Sequence, residues 1–199
     1  YPNNFPWRLT DVMNEYDNVL PYLDIPTQHI ASPVLKSMLR GGNSSSVSEI
    51  MARLRREVPD IALRTTVLVG HPGEGRAEFK ELLDWMQEFK FERLGAFAFS
   101  PEANTPAGLD SNRCSHEEAL ERQAEVMELQ AGIHADFQQS LVGKTTTVLI
   151  DDAAGDVAIG RTWADAPEVD GVVQINDPQH NLSTGAMVEA TITAAEGYD

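Results

Sequence analysis

Between Tyr22 and Ser100 two hydrophobic periods take turns along the chain, and that alternation narrows the possible folds more than any other feature. Tyr22-Leu23-Asp24-Ile25-Pro26 is a short alternating apolar run bounded by prolines, as a strand would be. Ser32-Pro33 then predicts a helix start, with Ser32 as N-cap, Pro33 at the first helical position and Gly41-Gly42 closing it. A second helix is expected with Ser46 or Ser48 near its cap and Ile50, Leu54 and Val58 four apart on one face. Residues 61–69 are rich in β-branched side chains and end at Gly70-His71-Pro72-Gly73, a buried strand running into a turn. Phe79, Leu82, Leu83, Met86 and Phe89 recur at helical spacing, and residues 94–99 form another short apolar run. Strand, helices, strand, helix, strand is the order that parallel strands with right-handed helical crossovers produce.

A long helix is expected next, capped by Ser115 with Glu118 completing a capping box. Leu120, Ala124, Met127, Ala131 and His134 mark its expected inward stripe, and Gly143 its end. Beyond Gly143 the texture changes to short apolar runs separated by Asp-, Gly- and Pro-containing turns, which reads as a small antiparallel β-barrel. The chain is therefore expected to be α/β, with a parallel barrel-like portion over 1–141 and the β domain over 142–199. Both ends look cut: the first barrel strands are expected before Tyr1, and the small barrel lacks a closing strand at its end. With two incomplete cores, low stability is expected of the isolated chain.

Charge and cysteine content bound the function. The final 59 residues hold only two basic side chains, Lys144 and Arg161, against ten acids, so half of the chain's net charge of −16 falls there. A phosphate backbone is gripped by clustered Lys and Arg. The tail offers none, so either a basic protein partner or a solvated acidic surface explains it. Cys114 is the sole cysteine, which excludes internal disulfides and fits a reducing, cytoplasmic compartment. No 18-residue apolar run exists, and Tyr1-Pro2-Asn3-Asn4-Phe5 has neither the basic start nor the apolar core of a signal peptide.

In parallel barrels, chemistry gathers where strands end. Pro26-Thr27-Gln28-His29, Gly70-His71-Pro72-Gly73-Glu74 and Ser100-Pro101-Glu102 all sit there, although each also suits an ordinary turn. Arg64, inside an apolar strand, calls for an anion, either a protein carboxylate or that of a ligand. The five histidines show no metal-site spacing, and no phosphate loop, dinucleotide fingerprint or nucleophile elbow is present. No metal ligand and no catalytic residue is assigned.

Three of these segments, in this order, resemble the radical-SAM methylthiotransferases: 22–30, 63–74, and Phe99-Ser100-Pro101-Glu102 followed by Thr105-Pro106-Ala107. The Asp-Ile-Pro-x-Gln-His form, and Ala164-Asp165-Ala166-Pro167-Glu168-Val169-Asp170-Gly171, resemble the RimO-type branch, which methylthiolates an aspartate of small-subunit ribosomal protein twelve. The resemblance implies a radical-SAM barrel followed by a TRAM β-barrel. It also implies S-adenosylmethionine and two 4Fe-4S clusters whose cysteine ligands lie outside this chain, so that the chain alone is inactive. It further implies Pro26, Gln28, Arg64 and Gly70 near the cofactor, and Asp165, Glu168 and Asp170 near a basic ribosomal protein. The family usually has Phe where His71 stands and Thr-Glu-Glu where Gly75-Arg76-Ala77 stand, departures that bear on an apolar pocket contact and on a helix cap. A tRNA-modifying activity of the same family, or a non-catalytic acidic module that binds a basic protein, are the alternatives. The acidic tail argues against direct tRNA binding.

Overall fold

The computed structural model describes residues 4–196. The expectations about the extreme N-terminus and about the barrel's end at Gly197-Tyr198-Asp199 fall outside them. After a short helix α1 (Arg8–Glu15), strand β1 (Tyr22–Asp24) leads through helices α2 (Ser32–Ser37) and α3 (Ser44–Glu57) into β2 (Ala62–Val69). Helix α4 (Arg76–Phe89) then connects to β3 (Arg93–Ala98). The three strands are parallel in the order β1-β2-β3, as the alternating pattern required.

One face of this sheet is core. Leu63, Val67 and Val69 on β2 alternate with half-exposed Arg64, Thr66 and Leu68. The buried set joins Met51 and Leu54 of α3, Leu82, Trp85 and Met86 of α4, and Phe91. The register aligns Asp24 with Arg64 and Arg64 with Arg93, then Thr66 with Gly95 and Leu68 with Phe97. Paired residues share a face, so these side chains form the sheet's second, open face, where Phe97 is 60% exposed.

Local signals were mostly, not wholly, where the sequence put them. The first turn of α2 begins at Ala31, with Pro33 one position later than expected, and the Ser32 hydroxyl accepts the Ser44 amide instead. The helix stops at Ser37, before Gly41-Gly42, with Leu39 left-handed at φ 55°. Asn43 caps α3 in a reciprocal box with Ser46.

After a single turn α5 (Pro106–Leu109), helix α6 (His116–Leu141) packs on β3 and α4. Ser115 accepts the Glu118 amide at 3.1 Å, but the Glu118 carboxylate pairs with Arg122 rather than closing a box. The inward stripe is Ala119, Arg122, Val126, Gln130, Ile133 and His134, while Leu120 is exposed. Of the expected stripe only His134 is fully buried, because two positions facing the core carry polar residues.

Strands β4 (Thr145–Asp152), β5 (Val157–Arg161), β6 (Val173–Asn176) and β7 (Met187–Thr191) form a separate antiparallel sheet in the order β6-β5-β4-β7. Val148, Ile150 and Ala158 are its buried centre. Gly160 lets β5 approach β4, since a Cβ there would lie 2.5 Å from the Leu149 carbonyl oxygen. Among the described residues no helix is long and apolar enough to cross a membrane.

Candidate functional site

Two polar clusters mark opposite ends of the parallel sheet. At the C-terminal end, the chain leaves β1 through Pro26 and the buried Thr27, whose hydroxyl meets that of Thr65 at 3.0 Å. Gln28 takes a left-handed conformation, φ 70°, and rejoins the sheet by accepting the Leu68 amide and donating to Thr66 O. Pro26 and Gln28 are half-exposed beside this edge.

Next to Gln28 in sequence begins an ionic chain that is buried from His29 to Arg122 and reaches the surface at Glu118. His29 Nδ1 accepts the Ala31 amide at 3.0 Å, which leaves Nε2 to carry the proton and face Glu74 Oε2 at 3.2 Å. Glu74 Oε1 accepts the Gly70 amide at 3.0 Å and Arg122 Nη1 at 2.6 Å, and Arg122 Nη2 continues to Glu118 at 2.7 Å. Burial alone would raise the Glu74 pKa. The hydrogen bonds from His29, Gly70 and Arg122 outweigh it and hold the carboxyl below its ordinary range. The cluster fastens the ends of β1 and β2 to α6.

Gly70, at φ 77°, is where that fastening is tightest: a Cβ would stand 2.5 Å from Ala119 Cβ and 3.3 Å from Cys114 Sγ. Its openness to close approach is thus occupied by α6. His71 is buried, edge-on to Phe99 at 5.0 Å, with Nδ1 3.0 Å from Pro72 O. Burial, the largest influence, pushes its pKa down.

The other cluster lies near the start of the strands. Arg64 Nη1 donates to Asp170 Oδ1 at 2.8 Å, and its Nε lies 3.6 Å from Asp24 Oδ2. Arg93 donates through Nη2 to Asp165 Oδ1, and its Nε lies 3.5 Å from Asp170 Oδ1. Tyr22 donates to Asp170 Oδ2 at 3.4 Å. Of the two partners left open for Arg64, the structure shows protein carboxylates.

The residues expected near a cofactor therefore divide. Arg64 and Gly70 are six residues apart on one extended stretch, about 20 Å; Pro26, Gln28 and Gly70 lie at the C-terminal end and Arg64 does not. Of the acids expected to meet a partner, Glu168 is exposed, whereas the Asp165 and Asp170 side chains are only 8% and 6% exposed. Sequence reasoning included Glu74 in a candidate strand-end segment without giving it a role, and missed Arg122 and Arg93.

Residues 142–199 match the TRAM domain family. The whole chain aligns with proteins named ribosomal protein uS12 methylthiotransferase RimO. It is 42% identical over 200 residues to that of Phocaeicola vulgatus, covering 100% of this chain and 46% of the relative. It is likewise 42% identical to that of Chlorobaculum parvum and 41% to that of Alkaliphilus oremlandii, with the same two coverages. The chain thus spans about half the length of the curated relatives it matches. In fold it is similar to Escherichia coli coproporphyrinogen III oxidase (HemN), described as a radical SAM enzyme: TM-score 0.55, 15% identity, over 66% of this chain and 31% of that one. A parallel α/β sheet followed by a TRAM domain is thus similar, along its whole length, to part of proteins named RimO.

Proposed function

We propose that this chain supplies the cofactor-facing sheet and the substrate-recruiting domain of a methylthiotransferase that acts in the cytoplasm on an aspartate β-carbon of ribosomal protein uS12. The observation that carries the reading is the alignment of the entire chain, at 42% identity, with proteins named for that activity. The acidity of residues 142–199 supports it, because a domain with two basic side chains against ten acids suits a basic ribosomal protein better than an RNA backbone.

The open face of the parallel sheet fits S-adenosylmethionine. Exposed Phe97 and half-exposed Leu68 are adjacent in register, beside Gly95, above which a Cβ would meet nothing within 4 Å. That is an apolar bed for an adenine ring, at the end of the sheet where Pro26 and Gln28 leave β1. When bound, this cofactor supplies the methyl group and the hydrogen-abstracting adenosyl group of such reactions. The protein's part is to hold it: Pro26 and Gln28 border the bed, and the His29–Glu74–Arg122 chain fixes the turn that carries them.

The 4Fe-4S clusters of the family do not fit the residues here. Burial pushes the Cys114 thiol's pKa up, the wrong direction for a thiolate ligand. Among the described residues no group of three or more His, Cys, Asp or Glu could hold a metal ion. Cluster ligation is accordingly assigned to cysteines outside this chain.

The test is mass spectrometry of ribosomal proteins and tRNA nucleosides from cells with and without the gene. Loss of the methylthio group from uS12, with tRNA unchanged, is expected. Loss from a tRNA adenosine instead would overturn the substrate assignment.

A further inference from the structure

Acidic side chains of the C-terminal domain are mostly solvent-facing, yet Asp165 and Asp170 are turned inward, and their bonding explains why. Each carboxylate divides its two oxygens between tasks. Asp165 Oδ2 accepts the Thr162 amide at 2.9 Å and the Thr162 hydroxyl at 2.6 Å, leaving Oδ1 for Arg93. Asp170 Oδ2 accepts the Ala166 amide at 2.8 Å, leaving Oδ1 for Arg64. Oδ2 shapes the loop and Oδ1 docks it, while Asp170 Oδ2 also accepts the Tyr22 hydroxyl of β1 at 3.4 Å. A third tie is made by Trp163, whose indole N–H donates to Asp60 O at 3.1 Å.

We propose that residues 162–170 are a latch that seals the base of the sheet's open face and joins the TRAM domain to the α/β domain as one cooperative unit. All three parallel strands take part, through Tyr22, Arg64 and Arg93, and the register sets the two arginines side by side. Two adjacent guanidinium groups, Arg93 buried and Arg64 partly so, repel each other unless anions lie between them. Asp170 does so, with Oδ1 2.8 Å from Arg64 Nη1 and 3.5 Å from Arg93 Nε. The domain interface therefore completes the sheet: without the loop, the base of the open face would hold two under-compensated cations. The latch leaves the cofactor-facing bed accessible from the strands' C-terminal ends and closed at this base. It rests on geometry alone and stands whether or not uS12 proves to be the substrate.

The experiment is hydrogen exchange and calorimetry on the full chain, comparing wild type with Asp170→Asn, Arg64→Met and the double variant. Wild type should melt in one transition. Each single variant should speed amide exchange over 162–170 by at least about tenfold, with little change at Val148 and Ile150 in the β-domain core. The double variant should be no worse than the more damaging single one, since both break the same bond. Glu168→Gln, on the exposed part of the same loop, should change nothing. Unchanged exchange over 162–170 in the single variants, or effects that add in full in the double, would overturn the latch. If Asp170→Asn fails to fold, Trp163→Phe, which deletes only the indole tie, should still raise exchange locally; no rise would count against the proposal.

Discussion

Gly70 shows how little tolerance one residue can have. Its left-handed backbone and its contact with Ala119 both exclude a side chain. Gly70→Ala should destabilise the chain by about 2–4 kcal/mol in denaturant titration, and adding Ala119→Gly should recover part of that loss. Glu74 is the other sensitive position. Glu74→Ala strands His29 and part of Arg122 in a dry site, an expected loss of about 3 kcal/mol. Because the folded pKa of Glu74 lies below its ordinary 4.5, its stabilisation is complete above that pH and fades as pH falls through the lowered folded value. Glu74→Gln should flatten that part of an acid unfolding curve. His71 acts in a higher window. Its folded pKa is depressed, so its neutral form stabilises the fold above 6.5 and that contribution declines as pH drops below it. His71→Phe, which keeps an aromatic ring against Phe99, should abolish the decline that sets in below about pH 6.5 when stability is measured across pH.

Among the elements, helices owe their limits to side chains rather than to propensity. Asn43→Ala removes the side-chain oxygen that accepts the Ser46 amide in the α3 cap and should cost about 1 kcal/mol by thermal melting. The Gly75 position begins α4 with only Glu78 reaching back to its amide at 3.0 Å, so the departure from Thr is cushioned. Strand and helix order was legible because each buried face of β2, α3 and α4 is apolar at its own period. The α6 stripe was not, because Arg122 and Gln130 sit at core-facing positions; Arg122 reaches Glu74 and Gln130 donates to the Phe91 carbonyl. A hydrophobic count cannot register a position that faces inward in order to satisfy a polar group. The Ser32 cap slipped by one residue for a similar reason: its hydroxyl had a competing donor twelve residues away.

Across the whole molecule, what the sequence concealed was pairing at a distance. Arg64 and Asp170 are 106 residues apart and Arg93 and Asp165 are 72 apart, so each reads locally as an isolated charge. Arg64 advertised a need for an anion, but nothing near it in the chain supplied one. Asp165 and Asp170 looked like part of a general acidic surface, and composition has no means of separating the acids that dock the domain from those that face a partner. The exposed acids should govern association: binding of this chain to uS12, measured by titration calorimetry, should weaken as salt is raised from about 50 to 300 mM, whereas the docking pairs, being buried, should resist the same change.

The paired oxygens of Asp165 and Asp170 also limit how such proteins can be recombined. A chimera that keeps this α/β domain but receives a C-terminal domain lacking those two aspartates leaves Arg93 without its carboxylates and Arg64 with only Asp24. Such a graft needs the arginines replaced in the same step, by residues that are neutral and of similar bulk. Domain docking thus resides in one short acidic loop, and an engineer who wishes to exchange the C-terminal domain must also rewrite the residues that meet it across the boundary.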